Sequence, residues 1–194
     1  MSSKNTRQKV LKAAIDLFYE KGYSETSVRD IGAKAGISNS LVYHYFKNKE
    51  EVLFEIVNTQ SQKLLFTLLD IEEKNQDHFK CLQEMLLVHF RFTITQYKKE
   101  SSILNHGFNL LSHKHKIFLK RVERDIYDLY KKKLEELVKL GLLNNVALPV
   151  VIFSIFGVMD WAIRWYKEEG GLTEEEVIDH LMDFIFHGML KPGI

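Results

Sequence analysis

Apolar residues recur at helical spacing along nearly the whole chain, and no stretch alternates as a strand would. Val10, Ala14, Leu17 and Phe18 follow the i, i+4, i+7, i+8 spacing of one face, and Gly22 supplies a stop, so a first helix is predicted over about residues 6–21. Ser27 can cap a second helix, with Asp30 three residues on completing a capping box and Val28, Ile31 and Ala35 as its apolar face. Gly36 falls where a left-handed turn residue is needed, and Ser38 can cap a third helix at once. Ile37 and Val42 then form a hydrophobic staple across that cap, which fixes a rigid helix-turn-helix.

The third helix divides into two faces. Val42 and Phe46 point to the core, whereas Asn39, Tyr43 and Lys47 share another face, flanked by Ser40 and His44. A polar and aromatic face near the start of such a helix suits base edges in the major groove, with hydroxyls and lysines around it holding phosphates. Asn48 with Glu51 reads as a further capping box opening a fourth helix, beside Lys47 and Lys49, where phosphate could dock. The same spacing also fits a three-helix mini-core whose third helix is merely solvated, since short capped helices around a glycine turn occur in enzymes too.

The remainder is predicted to be helical as well. A long fourth helix runs through Leu64, Leu65 and Leu68, and Phe79, Leu82, Leu86, Phe90, Ile94 and Tyr97 mark a fifth. Met85, His89 and Phe92 widen the apolar side of that fifth helix, which fits either burial all round or the wall of a cavity. Ile103 to His115 reads as short broken helices before a long one over about residues 114–140, with Ile117, Val122, Ile126, Leu129, Leu134, Leu137 and Val138 inward and Lys131 to Lys133 solvated. Pro149 is tolerated in a first helical turn, and the segment Val150 to Ile163 that follows is apolar except for Ser154 and Asp160. Thr173 with Glu176 caps a last helix carrying a stripe of Val177, Leu181, Phe184 and Ile185. Two apolar helices there can pack internally or against a twin.

Charge and composition narrow the partners. Residues 1–50 hold nine Lys or Arg against five Asp or Glu, and residues 51–194 hold eighteen against twenty-one, so the head is the basic part, the sign that phosphate contact requires. Met1 to Lys12 has no apolar run to serve as a secretory segment, and the uncharged stretch Val146 to Met159 reads as a buried helix too short to span a bilayer, so a cytoplasmic protein with no membrane partner is expected. Cys81 is the sole cysteine, which excludes an internal disulfide and a cysteine zinc site. His106, His113 and His115 match no zinc spacing, so no metal and no cofactor are expected. No nucleophile elbow, Walker loop, dinucleotide fingerprint or zincin motif is present, and Asp160 with Arg164 reads as an i, i+4 ion pair, so no catalytic residue is assigned.

The run Thr26-Ser-Val-Arg-Asp-Ile-Gly-Ala-Lys-Ala-Gly-Ile-Ser-Asn-Ser-Leu-Val-Tyr-His-Tyr-Phe-Lys-Asn-Lys-Glu-Glu-Val-Leu53 closely resembles the DNA-binding signature of TetR-family regulators, a match over residues 7–54. The resemblance implies an all-α fold with a three-helix helix-turn-helix head over residues 1–50 and a helical-bundle body for ligand binding and dimerisation over residues 51–194. It implies that Ser27 and Arg29 contact the DNA backbone, that Asn39, Ser40, Leu41, Tyr43 and His44, next to Ser38 and Lys47, face the operator, and that Tyr45 and Lys49 clamp phosphate. Ser40 and Leu41 stand where the family often has Gly followed by Thr or Ser, a departure that bears on which operator sequence is read.

The stretch Phe156 to Tyr166, followed by Gly170-Gly-Leu172, is similar to family members that regulate fatty-acid or steroid degradation, many of which sense acyl-CoA thioesters. The expected protein is therefore a homodimeric repressor on a double-stranded operator, released by a small apolar or amphipathic effector. Met85, His89, Phe90, Phe92, His106, Phe108, Val122, Trp161 and Trp165 are the candidate ligand-binding residues, with Arg91, Lys98, Lys99, Arg121 and Arg124 available for acyl-CoA phosphates. Phe153, Gly157, Val177, Leu181, Phe184 and Ile185 are the candidate dimer interface, with Gly157 allowing close backbone approach. A DNA-binding protein of this fold without an inducer, and an enzyme on a helical body, are the rival readings.

Overall fold

The computed structural model describes residues 3–143, 147–167 and 169–190. Among them the chain forms nine α-helices and no strand: α1 (Ser3–Lys21), α2 (Val28–Ala35), α3 (Asn39–Tyr45), α4 (Lys49–Lys74), α5 (His78–Phe90), α6 (Lys98–Gly107), α7 (His113–Lys139), α8 (Leu148–Trp165) and α9 (Glu174–Met189). The fold is all-α, as the periodicity predicts. The chain groups into two units, Met1–Ser61 with Lys99–Lys120, and Gln62–Lys98 with Arg121–Ile194.

The first unit is built on the expected head. Val10, Ala14, Leu17 and Phe18 of α1, Ile31 of α2, Val42 and Phe46 at α3 and Val52 and Leu53 of α4 form one buried cluster. Ile103 of α6, Leu111 of the turn that follows it and Leu119 of α7 complete it, which no local pattern indicates. Gly107 permits the approach of α6 to α4, because a Cβ there would stand 3.1 Å from Leu53 Cδ1.

The second unit has its own core, in which Leu64 and Leu68, Leu82, Met85 and Leu86, Val122, Ile126 and Tyr130, Ile152 and Met159, and Val177 and Ile178 meet. The fifth helix predicted through Tyr97 is regular only to Phe90, and Arg91–Gln96 forms a π-helical turn. The extra residue in that turn rotates the following face, so Phe90, Phe92 and Ile94 are all buried. Thr93 Oγ1 donates to the carbonyls of His89 at 2.9 Å and Phe90 at 3.1 Å beside the turn.

Three local expectations are corrected. Lys133 is not solvated: it is 3% exposed and its ammonium lies 2.9 Å from Glu72 Oε1. Ile117 and Val138, expected inward, are exposed, because they stand off the Val122, Ile126, Leu129, Leu134, Leu137 stripe that the core covers. Asn48 Oδ1 does accept from Glu51 N at 2.8 Å, but the Glu51 carboxylate accepts from Lys47 N at 2.7 Å, so the return bond of the box is displaced by one residue.

Helix α8 is not wholly buried either. Ile152, Ile155, Met159 and Ala162 pack into the core, whereas Val150, Phe153, Trp161 and Trp165 are exposed. Its length and hydropathy suffice to cross a membrane by composition alone. The helix nevertheless carries the expected Asp160–Arg164 pair, at 3.2 Å.

Candidate functional site

The helix-turn-helix follows from local chemistry. Ser27 N donates to Asp30 Oδ2 at 2.9 Å and Asp30 N donates to Ser27 Oγ at 3.1 Å, a reciprocal box that fixes the start of α2. Hydrogen bonds from Ser27 hold the Asp30 carboxyl below the usual carboxylate range. Gly36 ends α2 at φ 68°, a left-handed conformation that only glycine adopts freely. Ser38 Oγ then accepts from Leu41 N at 3.3 Å and opens α3.

Gly32 sets how closely α2 and α3 meet. A Cβ at this buried glycine would lie 2.8 Å from Asn39 Oδ1 and 3.2 Å from the Ile37 carbonyl oxygen. Sequence reasoning passed over Gly32, because a glycine inside a short helix signals nothing until its neighbour across the turn is known.

The two faces of α3 separate as predicted. Val42 and Phe46 are buried, whereas Ser38, Asn39, Ser40, Leu41, Tyr43, His44 and Lys47 are exposed, as are Ser27 and Arg29 at the start of α2. Ser38, Asn39, Ser40, Leu41, Tyr43, His44 and Lys47 thus lie together on and beside α3, with Ser27 and Arg29 at the start of α2. The hydroxyls of Ser38 and Ser40 lie 2.9 Å apart, and the half-buried Tyr45 ring meets His44 edge-on at 5.1 Å. Arg7 packs over the Phe46 ring at 5.2 Å and pairs with Glu55 at 2.7 Å, bracing the end of α3 against α4.

Lys49 departs from its expected role as a phosphate clamp. Its ammonium donates to the carbonyls of Tyr23 and Thr26, both at 2.7 Å, and sits 4.1 Å from the centroid of the Tyr23 ring. Burial lowers its pKa, against the pull of Glu25. This lysine ties the start of α4 to the α1–α2 turn, which its place in the sequence signature does not reveal.

The expected sensing residues do not form one set. Met85, His89, Phe90, Phe92 and Val122 are buried in the second unit. His89 Nδ1 lies 3.1 Å from Tyr130 Oη, and that hydroxyl donates to the Met85 carbonyl at 3.3 Å. Burial pushes the His89 pKa down to about 4, and it pushes that of Tyr130 up. His106 and Phe108 instead belong to the first unit, where Phe108 packs on the head core. His106 lines a cavity of about 400 Å³ there with Tyr19, Tyr23, Leu53 and Leu110.

Trp161 and Trp165 line no interior, being 66% and 56% exposed, because their shared helical face lies opposite the buried face of α8. Of the candidate phosphate-binding cations, Arg91 pairs with Glu175 at 2.9 Å, Lys99 pairs with Asp16, and Lys98 stands 5.1 Å from the Tyr166 ring centroid. Arg121 and Arg124 are exposed.

The candidate dimer residues split in the same way. Phe153 and Phe184 are 65% and 69% exposed, Gly157 is exposed and Leu181 is half-buried. Val177 and Ile185 are corrected: both are buried in the core of their own unit, since the α9 stripe is divided between two directions. Among the described residues no group of three His, Cys, Asp or Glu is placed to hold a metal, and His115 is engaged with Glu50 and stacked on Phe54 at 3.9 Å.

Comparison with known proteins bears on this arrangement. Residues 10–56 match the family model described as "Bacterial regulatory proteins, tetR family", and residues 80–189 match "Tetracyclin repressor-like, C-terminal domain". The HTH-type transcriptional repressor KstR2 of Rhodococcus jostii is 24% identical over 96% of this chain and 92% of its own. The solved structure of KstR2, a ketosteroid transcriptional regulator of Mycobacterium tuberculosis, superposes with a TM-score of 0.86 at 23% identity, covering 95% of each chain. AibR in complex with isovaleryl coenzyme A and operator DNA gives 0.85 at 24% identity over 93% of this chain and 98% of that one.

Proposed function

Since the chain belongs to the TetR family of bacterial regulatory proteins and is a DNA-binding transcriptional regulator, we propose that it acts in the cytoplasm as a homodimeric repressor released from its operator by a small apolar or amphipathic ligand. The exposed face of α3, with Asn39, Ser40, Tyr43 and His44 presented on a capped helix-turn-helix, carries this reading. In it, residues 1–50 read DNA and residues 51–194 pair the subunits and sense the effector. Two recognition helices related by a two-fold axis would occupy successive major grooves of a near-palindrome. No step requires catalysis, and the relatives are transcriptional regulators.

An acyl-CoA is the specific ligand class proposed, supported by the isovaleryl coenzyme A bound to AibR and by the steroid-linked name of KstR2. The ligand acts only if it prefers the conformation in which the recognition helices no longer fit adjacent grooves, since equal affinity for both states shifts nothing. Genome-wide mapping of bound DNA, followed by titration of that complex with acyl-CoA, free fatty acid and planar aromatic cations, tests both halves. Specific, salt-sensitive binding that Tyr43→Ala abolishes without unfolding is expected, and release by acyl-CoA alone. Binding indifferent to Tyr43→Ala would remove the DNA reading, and no release by any of the three would favour a regulator without an inducer.

A further inference from the structure

The turn between α6 and α7 brings a second set of basic side chains beside the start of α4. Glu50, the second residue of α4, accepts from Ser112 N at 2.8 Å and from His115 Nδ1 at 2.6 Å. Burial would raise the Glu50 carboxyl, but the bonds from Ser112 and His115 outweigh it and hold the group below its usual value. This clasp sets the start of α7 against the start of α4, next to exposed Lys47 and the end of α3.

The first turns of α7 read His113-Lys-His-Lys116, with Lys120 one turn beyond, and the first turn contains no acid. His113, Lys114 and Lys120 are exposed, and among the described residues none of the three has an ion-pair partner. Lys116 is tied to the Asn109 carbonyl at 2.8 Å and stiffens the turn that presents them. The Glu50 carboxylate at Ser112 N answers the positive end of the α7 dipole, so exposed Lys114 and Lys120 are left to meet an anion from outside the chain.

We infer that His113 and Lys114 form a second phosphate-contact patch, which extends the operator interface of each subunit past the helix-turn-helix onto the flanking DNA backbone. This rests on the DNA-binding reading above. The contact is to phosphate and carries no base sequence, so it adds affinity and footprint length in place of specificity. The clasp would also make DNA contact by α7 sensitive to any movement of that helix, because Glu50 joins the two helix starts directly.

The test uses the full chain and a duplex that the wild-type protein has itself selected from random sequence, with flanks long or trimmed to the selected core. Each lost phosphate contact lowers the slope of log K against log salt by about 0.9, so Lys114→Ala in a two-fold complex should reduce it by about 1.8. Lys114→Arg should keep the parental slope, and trimming the flanks should weaken the parent more than Lys114→Ala and leave the His113→Ala/Lys114→Ala double variant unaffected. An unchanged slope in the His113→Ala/Lys114→Ala double variant, with the parent binding normally, overturns the patch while leaving the helix-turn-helix reading intact. Affinity lost equally at all salt concentrations would assign these residues to folding and would also overturn it. Failure of the parent to select any duplex would sink both readings.

Discussion

Lys133 Nζ lies 2.9 Å from Glu72 Oε1, with the lysine side chain 4% exposed. Lys132 reaches the same oxygen at 2.8 Å from solvent, and these two lysines together hold the Glu72 carboxyl below its usual value. Removing one partner of such a pair strands the other charge, at a cost of about 3 kcal/mol. Glu72→Leu should therefore lower the urea midpoint clearly, since it leaves the buried Lys133 ammonium unpaired, and Glu72→Leu with Lys133→Met should recover most of the loss, because the stranded charge goes too. A single variant as stable as the parent would show that the pair contributes nothing.

Gly32 is expected to tolerate no side chain. The Cβ of Gly32→Ala would stand 2.8 Å from Asn39 Oδ1, which can rotate away, and 3.2 Å from the Ile37 carbonyl, which is backbone and cannot. The change should cost about 1–3 kcal/mol through overpacking and should tilt α3 enough to weaken operator binding at least tenfold. Equal affinity and equal melting temperature in the variant would refute the close-contact argument.

Acid should destabilise the second unit through His89. Its folded pKa of about 4 lies below the ordinary histidine value of 6.5, so between these values the unfolded chain binds more protons and stability falls as pH falls. The full difference corresponds to about 3 kcal/mol, all of it present above pH 6.5 and lost progressively towards pH 4. His89→Gln should flatten stability between these limits while lowering it at neutral pH through the altered contact with Tyr130. Carboxylates such as Glu50 and Glu72, with lowered pKa, act at lower pH, so the difference between parent and variant isolates the histidine. Parallel pH curves for the two proteins would show that His89 does not titrate this way.

The exposed face of α8 should govern subunit pairing. Trp161→Glu or Phe153→Asp places a charge on a face already open in the single chain, so each variant should stay folded and sediment as a monomer. Val177→Asp should instead unfold the chain, because Val177 is 3% exposed within its own core. A dimer persisting in the Trp161→Glu/Phe153→Asp double variant would place the interface elsewhere.

The sequence alone determined those features that depend on residues close in the chain. The Ser27–Asp30 box, the left-handed Gly36, the Ser38 cap and the division of α3 between Val42 and Tyr43 are all settled within a few bonds, so helical spacing and cap chemistry reveal them. The tertiary structure decided everything that depends on a partner distant in sequence. Lys49 and Lys133 look like surface cations until the carbonyls of Tyr23 and Thr26 and the carboxylate of Glu72 are brought to them. Val177, Ile185, Trp161 and Trp165 are equally apolar on paper, yet the first two face their own core and the tryptophans face outward. Periodicity reports that a helix has an apolar face, but hydrophobic burial is non-directional, so which neighbour covers that face is settled only by packing.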